Sequence, residues 1–259
     1  MKLFNRGILA AACIIALSGC VSSPEKNEVL YQVSTIDAIL DGQYDGTVTV
    51  GKLKKHGDFG IGTYDGLYGE MVAIYGEFYQ VKADGTVSVV PDSMTSPFAV
   101  VTDFKCDKFV TYDKAVDYTQ LTQFIDKLLP TNNIFYAIKV KGVYDHVKTR
   151  SVPKQEKPYP RLSEVVKEQP TFEFKNVPGT IVGFRCPPFV KGISVPRYHL
   201  HFITDDKKGG GHLLECNIKR SKIYIDEIHS LFLVLPETGS YYRADLEKTK
   251  KGEIEKVER

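Results

Sequence analysis

The stretch Arg197 to Cys216, RYHLHFITDDKKGGGHLLEC, allows few backbone arrangements. His199 and His201 stand two apart among β-branched and aromatic residues, a spacing that in a strand turns both imidazoles to one face. The polar, glycine-rich TDDKKGGG that follows is turn chemistry, so the chain is expected to double back and return as HLLECNI. A hairpin symmetric about Asp206 and Lys207 sets His201 opposite His212 and His199 opposite Leu214, with all four side chains on one face. Three imidazoles then converge on one side of a sheet, a ligand set that suits a transition metal and leaves a coordination position open, as in catalytic zinc sites. HxH alone is a weak signal, and the return of a third histidine is what makes the pattern specific. The expectation rests on register, which a single bulge would change. His56, His146 and His229 have no such context and are read as ordinary hydrogen-bonded residues.

The first nineteen residues, MKLFNRGILAAACIIALSG, carry Lys2 and Arg6 ahead of an apolar run too short for a stable membrane span, which predicts a secretory signal over 1–19. Leu17 to Cys20 resembles the lipobox of bacterial lipoproteins. Cys20 would then be acylated, with 20–29 a lipidated tether holding the mature protein outside the cytoplasmic membrane, in the periplasm or at the cell surface. The alternative is ordinary cleavage beside a stray cysteine. Without Lys2 and Arg6 the 34 basic residues fall to 32, equal to the 32 acidic ones. A formally neutral mature chain makes nucleic acid an unexpected partner. Cys106, Cys186 and Cys216 show neither metal-type nor disulfide-framework spacing, so one disulfide is compatible but not demanded. Cys216 shares the expected face of His212, but four strand residues at about 3.3 Å each separate them, so it is read as buried filler.

With 42% hydrophobic residues, the mature chain of about 230 residues can bury a large core as one large or two closely joined domains. Ser34-Thr35 before IDAIL offers a capped short helix ending near Asp41-Gly42. Strands follow at TVTV from Thr47, FGIGT, EMVAIY, EFYQVKADGTVSVV with Asp84-Gly85 as its turn, and PFAVVTDFKC from Pro97. Tyr118 to Leu129 has helical spacing, a cap at Asp117 or Thr119 and a stop at Pro130. IFYAIKVKGVYDHVKTRSV reads as two strands meeting at Gly142, then an irregular VPKQEKPYPRL and a short helix over Leu162 to Glu168. TFEFKNV, GTIVGFR, the histidine hairpin and KIYIDEIHSLFLVLP are β-rich. The charged segment Ala244 to Val257 is helix-prone.

Four separated stretches, GDFGIGTYDGLYGEM (Gly57 to Met71), EFYQVKADG (Glu77 to Gly85), VKTRSVPKQEKPYP (Val147 to Pro160) and YHLHFITDDKKGGGH (Tyr198 to His212), give the chain from about Leu30 onward a resemblance to α-acetolactate decarboxylases. The resemblance implies an α/β (α+β-like) protein of two closely packed β-rich subdomains with a few covering helices and a metal site in the cleft on a β-hairpin. It implies one decarboxylase domain over 30–259, with an N-terminal β-rich part at about 30–130 and a metal-binding part at about 131–259. It further implies a homodimer, Zn2+ as cofactor and 2-acetolactate as substrate. Carried over by position, the metal histidines fall on His199, His201 and His212, the acidic residue on Glu70, the arginine on Arg150, and a C-terminal glutamate on Glu258, with Glu253 and Glu255 nearby. Thr63 and Leu67 take pocket-lining positions. Tyr68 departs from the acidic residue many members carry there. Taken alone, Glu70 reads as an edge charge, Arg150 as one more base beside Lys148, Lys154 and Lys157, and the tail glutamates as solvent-facing.

The implied chemistry is loss of carbon dioxide from a carbon that bears a hydroxyl and sits beside a ketone. The released electron pair must spread into an enediolate, which calls for positive charge at two neighbouring oxygens; zinc chelating both would act as Lewis acid and template. Arg150 would clamp the carboxylate or the developing oxyanion, Glu70 would orient substrate or complete the metal shell, and water or a glutamate would deliver the proton. Two rival readings are a cupin-like metalloenzyme, which lacks support because the glutamate after HxH is missing, and a non-catalytic zinc-binding lipoprotein, which needs neither Arg150 nor Glu70.

Overall fold

The computed structural model describes residues 28–247 and 252–257, so Cys20 and Glu258 lie outside the described residues. In chain order, β1 (Val29–Val33) leads into α1 (Ile36–Leu40), whose Thr35 side chain accepts from the Ala38 amide. Val29 is thus already in a strand rather than in the tether. Only Val48–Thr49 (β2) of TVTV is extended: the Thr49 hydroxyl accepts from the Lys52 amide at 3.3 Å and starts the turn α2 (Val50–Leu53), burying Val50 and Leu53. A local cap outweighs the β propensity of two valines here. Next come β3 (Phe59–Thr63), β4 (Glu70–Ile74), β5 (Glu77–Val81), β6 (Val87–Val89), β7 (Thr95–Ser96), β8 (Phe98–Thr102), β9 (Lys108–Tyr112) and β10 (Val116–Asp117). Helix α3 (Tyr118–Leu128) starts where expected and ends one residue sooner, with Asp117 and Gln120 forming a reciprocal capping box and Leu121 and Ile125 buried.

The second half is built on three long strands: β11 (Phe135–Arg150), β12 (Thr171–Cys186) and β14 (Gly210–Ile228), with β13 (Arg197–Thr204) beside β12. Gly142 therefore does not separate two strands. A Cβ there would sit 2.4 Å from the Arg220 carbonyl, so glycine serves close strand approach in mid-strand. Between β11 and β12 lie an irregular connection, α4 (Leu162–Val165) and one 3-10 turn; β15 (Ser230–Val234), α5 (Gly239–Tyr242) and α6 (Glu253–Val257) complete the chain. The expected helix from Ala244 is present only from Glu253: 244–247 are not helical, and 248–251 lie outside the described residues.

One sheet has seven strands in the order β15-β1-β8-β3-β4-β5-β6, antiparallel except for the parallel β1–β15 pair. A second, besides the two-stranded β2-β7 pair, runs β10-β14-β11-β12-β13 with β9 against β14, and β13 also pairs β14, so that β11 to β14 close on one another. Inside this closure lie Tyr144, Ile181, Leu200, Phe202, Leu213 and Cys216, covered by α3. Its opposite face carries Val182, Phe184 and Ile203, which join Ile61, Val72 and Phe98 of the first sheet in a shared core. The histidines lie on this second face, at the seam between the sheets.

Candidate metal centre and active site

The histidine hairpin has the expected register. Thr204 receives the Lys207 amide and donates its own amide to the Gly209 carbonyl at 2.9 Å, Lys207 takes φ 60, and His201 pairs with His212. The β13–β14 pairing then stops, so His199 has no partner at Leu214. On β14 the register against β11 shifts: Thr149 faces Leu213 while Lys148 faces Glu215, leaving Leu214 as a bulge. Beyond it the faces exchange, and Cys216 sits in the core inside the closed strands, on the side away from His212. The expectation that His212, Leu214 and Cys216 share a face is overturned by that one extra residue. Cys186 is buried in the other core, and Cys106, Cys186 and Cys216 are all free thiols.

The same shift brings Arg150, the last residue of β11, opposite His212. Arg150, His212 and His201 thus form a lateral row across three strands, with His199 two residues along β13. The imidazole centroids of the triad are 5.2–5.3 Å apart, and their ligand nitrogens all lie within 4.8 Å of one another. His201 Nδ1 is 2.7 Å from the Met71 carbonyl of β4. A carbonyl only accepts, so Nδ1 carries the proton and Nε2 presents its lone pair. That Nε2 is fully buried, has no hydrogen-bond partner among the described residues, and stands 3.5 Å from Glu70 Oε2. A buried acceptor left without a donor beside a carboxylate and two more imidazoles fits a cation, and the Met71 contact is the outer hydrogen bond that orients a ligating imidazole.

Burial sets the protonation. It holds His199 down at about 3, helped by the Arg150 charge, and it holds His201 well below the usual imidazole range, with His199 and Arg150 adding to the effect and the Met71 contact opposing it. Both rings are neutral ligands at any ordinary pH. Arg150 is 4% exposed; Nη1 donates to Gln169 Oε1 at 2.6 Å, Nη2 donates to the Val257 carbonyl of α6, and Nε has no partner among the described residues.

Thr63 ends β3, Glu70 opens β4, and Leu67 lies in the loop between them. Gly66, Leu67 and Gly69 all have positive φ (71, 56 and 76). The turn is pinned by Thr63 Oγ1 donating to the Gly69 carbonyl at 2.7 Å and by the Gly69 amide donating to Val152. Leu67 accepts a strained left-handed backbone and in return points a buried apolar side chain into the site. Tyr68 fits the loop through its carbonyl, which accepts from Gln80 at 2.6 Å, and its ring, with Lys82 and Lys154 at 5.8 and 5.9 Å. Glu253 is held 3.2 Å from Arg161 on the rim rather than at the histidines.

These groups line a recess of about 50 Å³ bounded by Thr63, Leu67, Glu70, Arg150, His199 and His212, with an apolar wall from Ile36, Ile39, Phe98, Val152 and Leu162. A larger cleft of about 380 Å³ lies on Asp41–Asp45, Lys157–Tyr159 and Arg243, but Asp45 and Lys157 there are already paired at 2.8 Å and no ligand cluster accompanies them. The imidazoles, the carboxylate and the guanidinium gather at the smaller recess. Gln169, the carbonyls of Met71 and Val257, and the walls from α1 and α4 carry no motif in the sequence. His56 stacks on Tyr31 at 3.8 Å, His146 stands 3.7 Å from Glu173, and His229 is exposed, all outside the site.

Three convergent imidazoles, a carboxylate and a buried guanidinium, set in an apolar recess between two sheets, define the class: an enzyme with a metal-capable site for a small molecule. The family described as alpha-acetolactate decarboxylase matches residues 30–248. An alpha-acetolactate decarboxylase of Methanosarcina mazei is 50% identical over 238 residues, covering 92% of this chain and 82% of that protein. One from Methylococcus capsulatus is 42% identical, covering 90% of each. The crystal structure of alpha-acetolactate decarboxylase from Bacillus subtilis strain 168 superposes with a TM-score of 0.87 at 40% identity, covering 89% of this chain and 99% of that one. The chain belongs to the alpha-acetolactate decarboxylase family and is a carboxy-lyase.

Proposed function

We propose that this protein converts 2-acetolactate to acetoin and carbon dioxide, using zinc held by His199, His201 and His212. The observation that carries the reading is His201 Nε2, without a donor among the described residues, standing 3.5 Å from Glu70, which lines one recess with His199, His212 and Arg150. When bound, the cation supplies Lewis acidity to the oxygens that receive the electron pair left by carbon dioxide.

The chain's own residues do the rest. Arg150, 4% exposed, offers charge-assisted hydrogen bonds to the substrate carboxylate or to the oxyanion that develops. Glu70, at the head of β4 and 8% exposed, orients the substrate hydroxyl or completes the cation's shell. Ile36, Ile39, Phe98 and Leu162 face the methyl groups and keep water from the reacting carbon. Thr63 holds the loop through Gly69, and Leu67 walls the recess. Water or a carboxylic acid, Glu258 being the candidate from the tail, returns one proton per carbon dioxide lost.

The same reading includes acylation at Cys20, a lipid-anchored position outside the cytoplasmic membrane and a homodimer, supported by the LSGC sequence and the family resemblance. Purified protein given 2-acetolactate is expected to release acetoin and carbon dioxide in equal amounts. Bound zinc without acetoin would leave a non-catalytic zinc protein.

A further inference from the structure

A guanidinium 4% exposed is almost always paired with a carboxylate. Arg185, 5% exposed on the face of β12 that α3 covers, follows that rule with Asp126 at 3.3 Å. Arg150 does not. Its two hydrogen-bond partners are an amide oxygen, Gln169 Oε1 at 2.6 Å, and the backbone carbonyl of Val257. Both are dipoles, so they fix the direction of the guanidinium without adding a negative charge of their own.

The local chain makes this contact specific. Arg150 pairs with Thr171, and the Ser151 amide donates to the Pro170 carbonyl at 3.2 Å, so Gln169 is tied to the end of β11 by its two successors. Its neighbour Glu168, the last residue of the 3-10 turn after α4, is exposed. The chain thus turns a carboxylate to solvent and, one position later, a neutral isostere to the arginine.

We propose that Gln169 is a positioning residue for the decarboxylation: it holds Arg150 in the direction of the recess while keeping the full positive charge for the anionic substrate. The proposal rests on the decarboxylase reading above. Gln169→Glu preserves shape and places a negative charge where the amide oxygen now sits, so the guanidinium becomes an internal ion pair. Gln169→Leu removes the acceptor and leaves the charge intact.

The test compares wild type, Gln169→Glu and Gln169→Leu, loaded with zinc, by steady-state acetoin release, zinc content, thermal midpoint and calorimetric binding of 2-hydroxyisobutyrate, a carboxylate with the same hydroxyl and no ketone. Gln169→Glu is expected to lower kcat/KM by about 100-fold, chiefly through KM, and to weaken 2-hydroxyisobutyrate binding in parallel, with zinc content and midpoint held. Gln169→Leu is expected to lose about 10-fold, chiefly in kcat, because the charge remains but wanders. Wild-type turnover retained in Gln169→Glu overturns the proposal, as does an equal loss in both variants that follows their zinc content or midpoint. Wild type that makes no acetoin overturns the decarboxylase reading instead; the calorimetry still decides Gln169, since equal anion binding by wild type and Gln169→Glu, or none by either, refutes it.

Discussion

Asp226→Asn should make the protein more stable at alkaline pH and leave it almost unchanged in acid. Asp226, on β14, is 1% exposed; its Oδ2 accepts the Lys105 amide at 3.0 Å, and its Oδ1 is buried without a partner. Burial pushes the carboxyl up to about 7 from 3.8, with Asp107 and Glu28 adding to it against the Lys105 hydrogen bond. Between those values the folded state holds a proton that the unfolded state has released, so stability falls as pH rises from about 4 to 7 and is flat above. Three pKa units at 1.36 kcal/mol each give a loss of about 4 kcal/mol. Asparagine keeps the acceptor for Lys105, turns an amide toward the carboxylate of Asp107, and has no proton to lose. The advantage of the variant should therefore grow by about 2–3 kcal/mol between pH 5 and pH 8. Urea unfolding at both pH values, followed by far-UV circular dichroism, measures it. An equal difference at the two pH values, or a variant less stable at pH 8, would refute the reasoning.

The buried histidines act with the opposite sign. In the metal-free protein His199, held at about 3, takes no proton while the unfolded chain protonates below about 6.5, so stability should drop as pH falls from 6.5 toward 3, read by the same unfolding assay. Arg150→Met should retain zinc, measured by elemental analysis, and lose about 100- to 1000-fold in kcat/KM, the size of one lost electrostatic contact to a transition state; wild-type activity would remove Arg150 from the mechanism. Gly211→Ala puts a Cβ 2.4 Å from the Arg150 carbonyl at φ 129, and should cost about 2 kcal/mol or more while lowering zinc occupancy and activity together, because it forces apart the strands that carry Arg150 and His212.

The triad was legible because a hairpin register follows from turn length and turn chemistry, and Thr204 to Gly209 obeyed both. The face beyond His212 was not legible, since nothing in HLLEC marks Leu214 as a bulge. Interior glycines misled in the same way. Gly142 reads as punctuation, but in β11 it is demanded by a neighbouring carbonyl, which only the packed sheet reveals. KFVTY carries little strand signal because it is half-exposed and short, and its pairing is with residues 109 to 117 positions away on β14. Val50 became helical through a cap. Arg150, indistinguishable in sequence from its lysine neighbours, is singled out by pairing with His212, a long-range fact, and Gln169 acquires its contact only through the connection that precedes β12.

The most direct measurement is activity across removal and return of the cation. Wild-type protein stripped by a chelator should release no acetoin from 2-acetolactate and recover on addition of stoichiometric zinc, while His201→Ala should neither retain zinc nor recover. Acetoin release at the untreated rate by protein shown by elemental analysis to be metal-free would contradict the account.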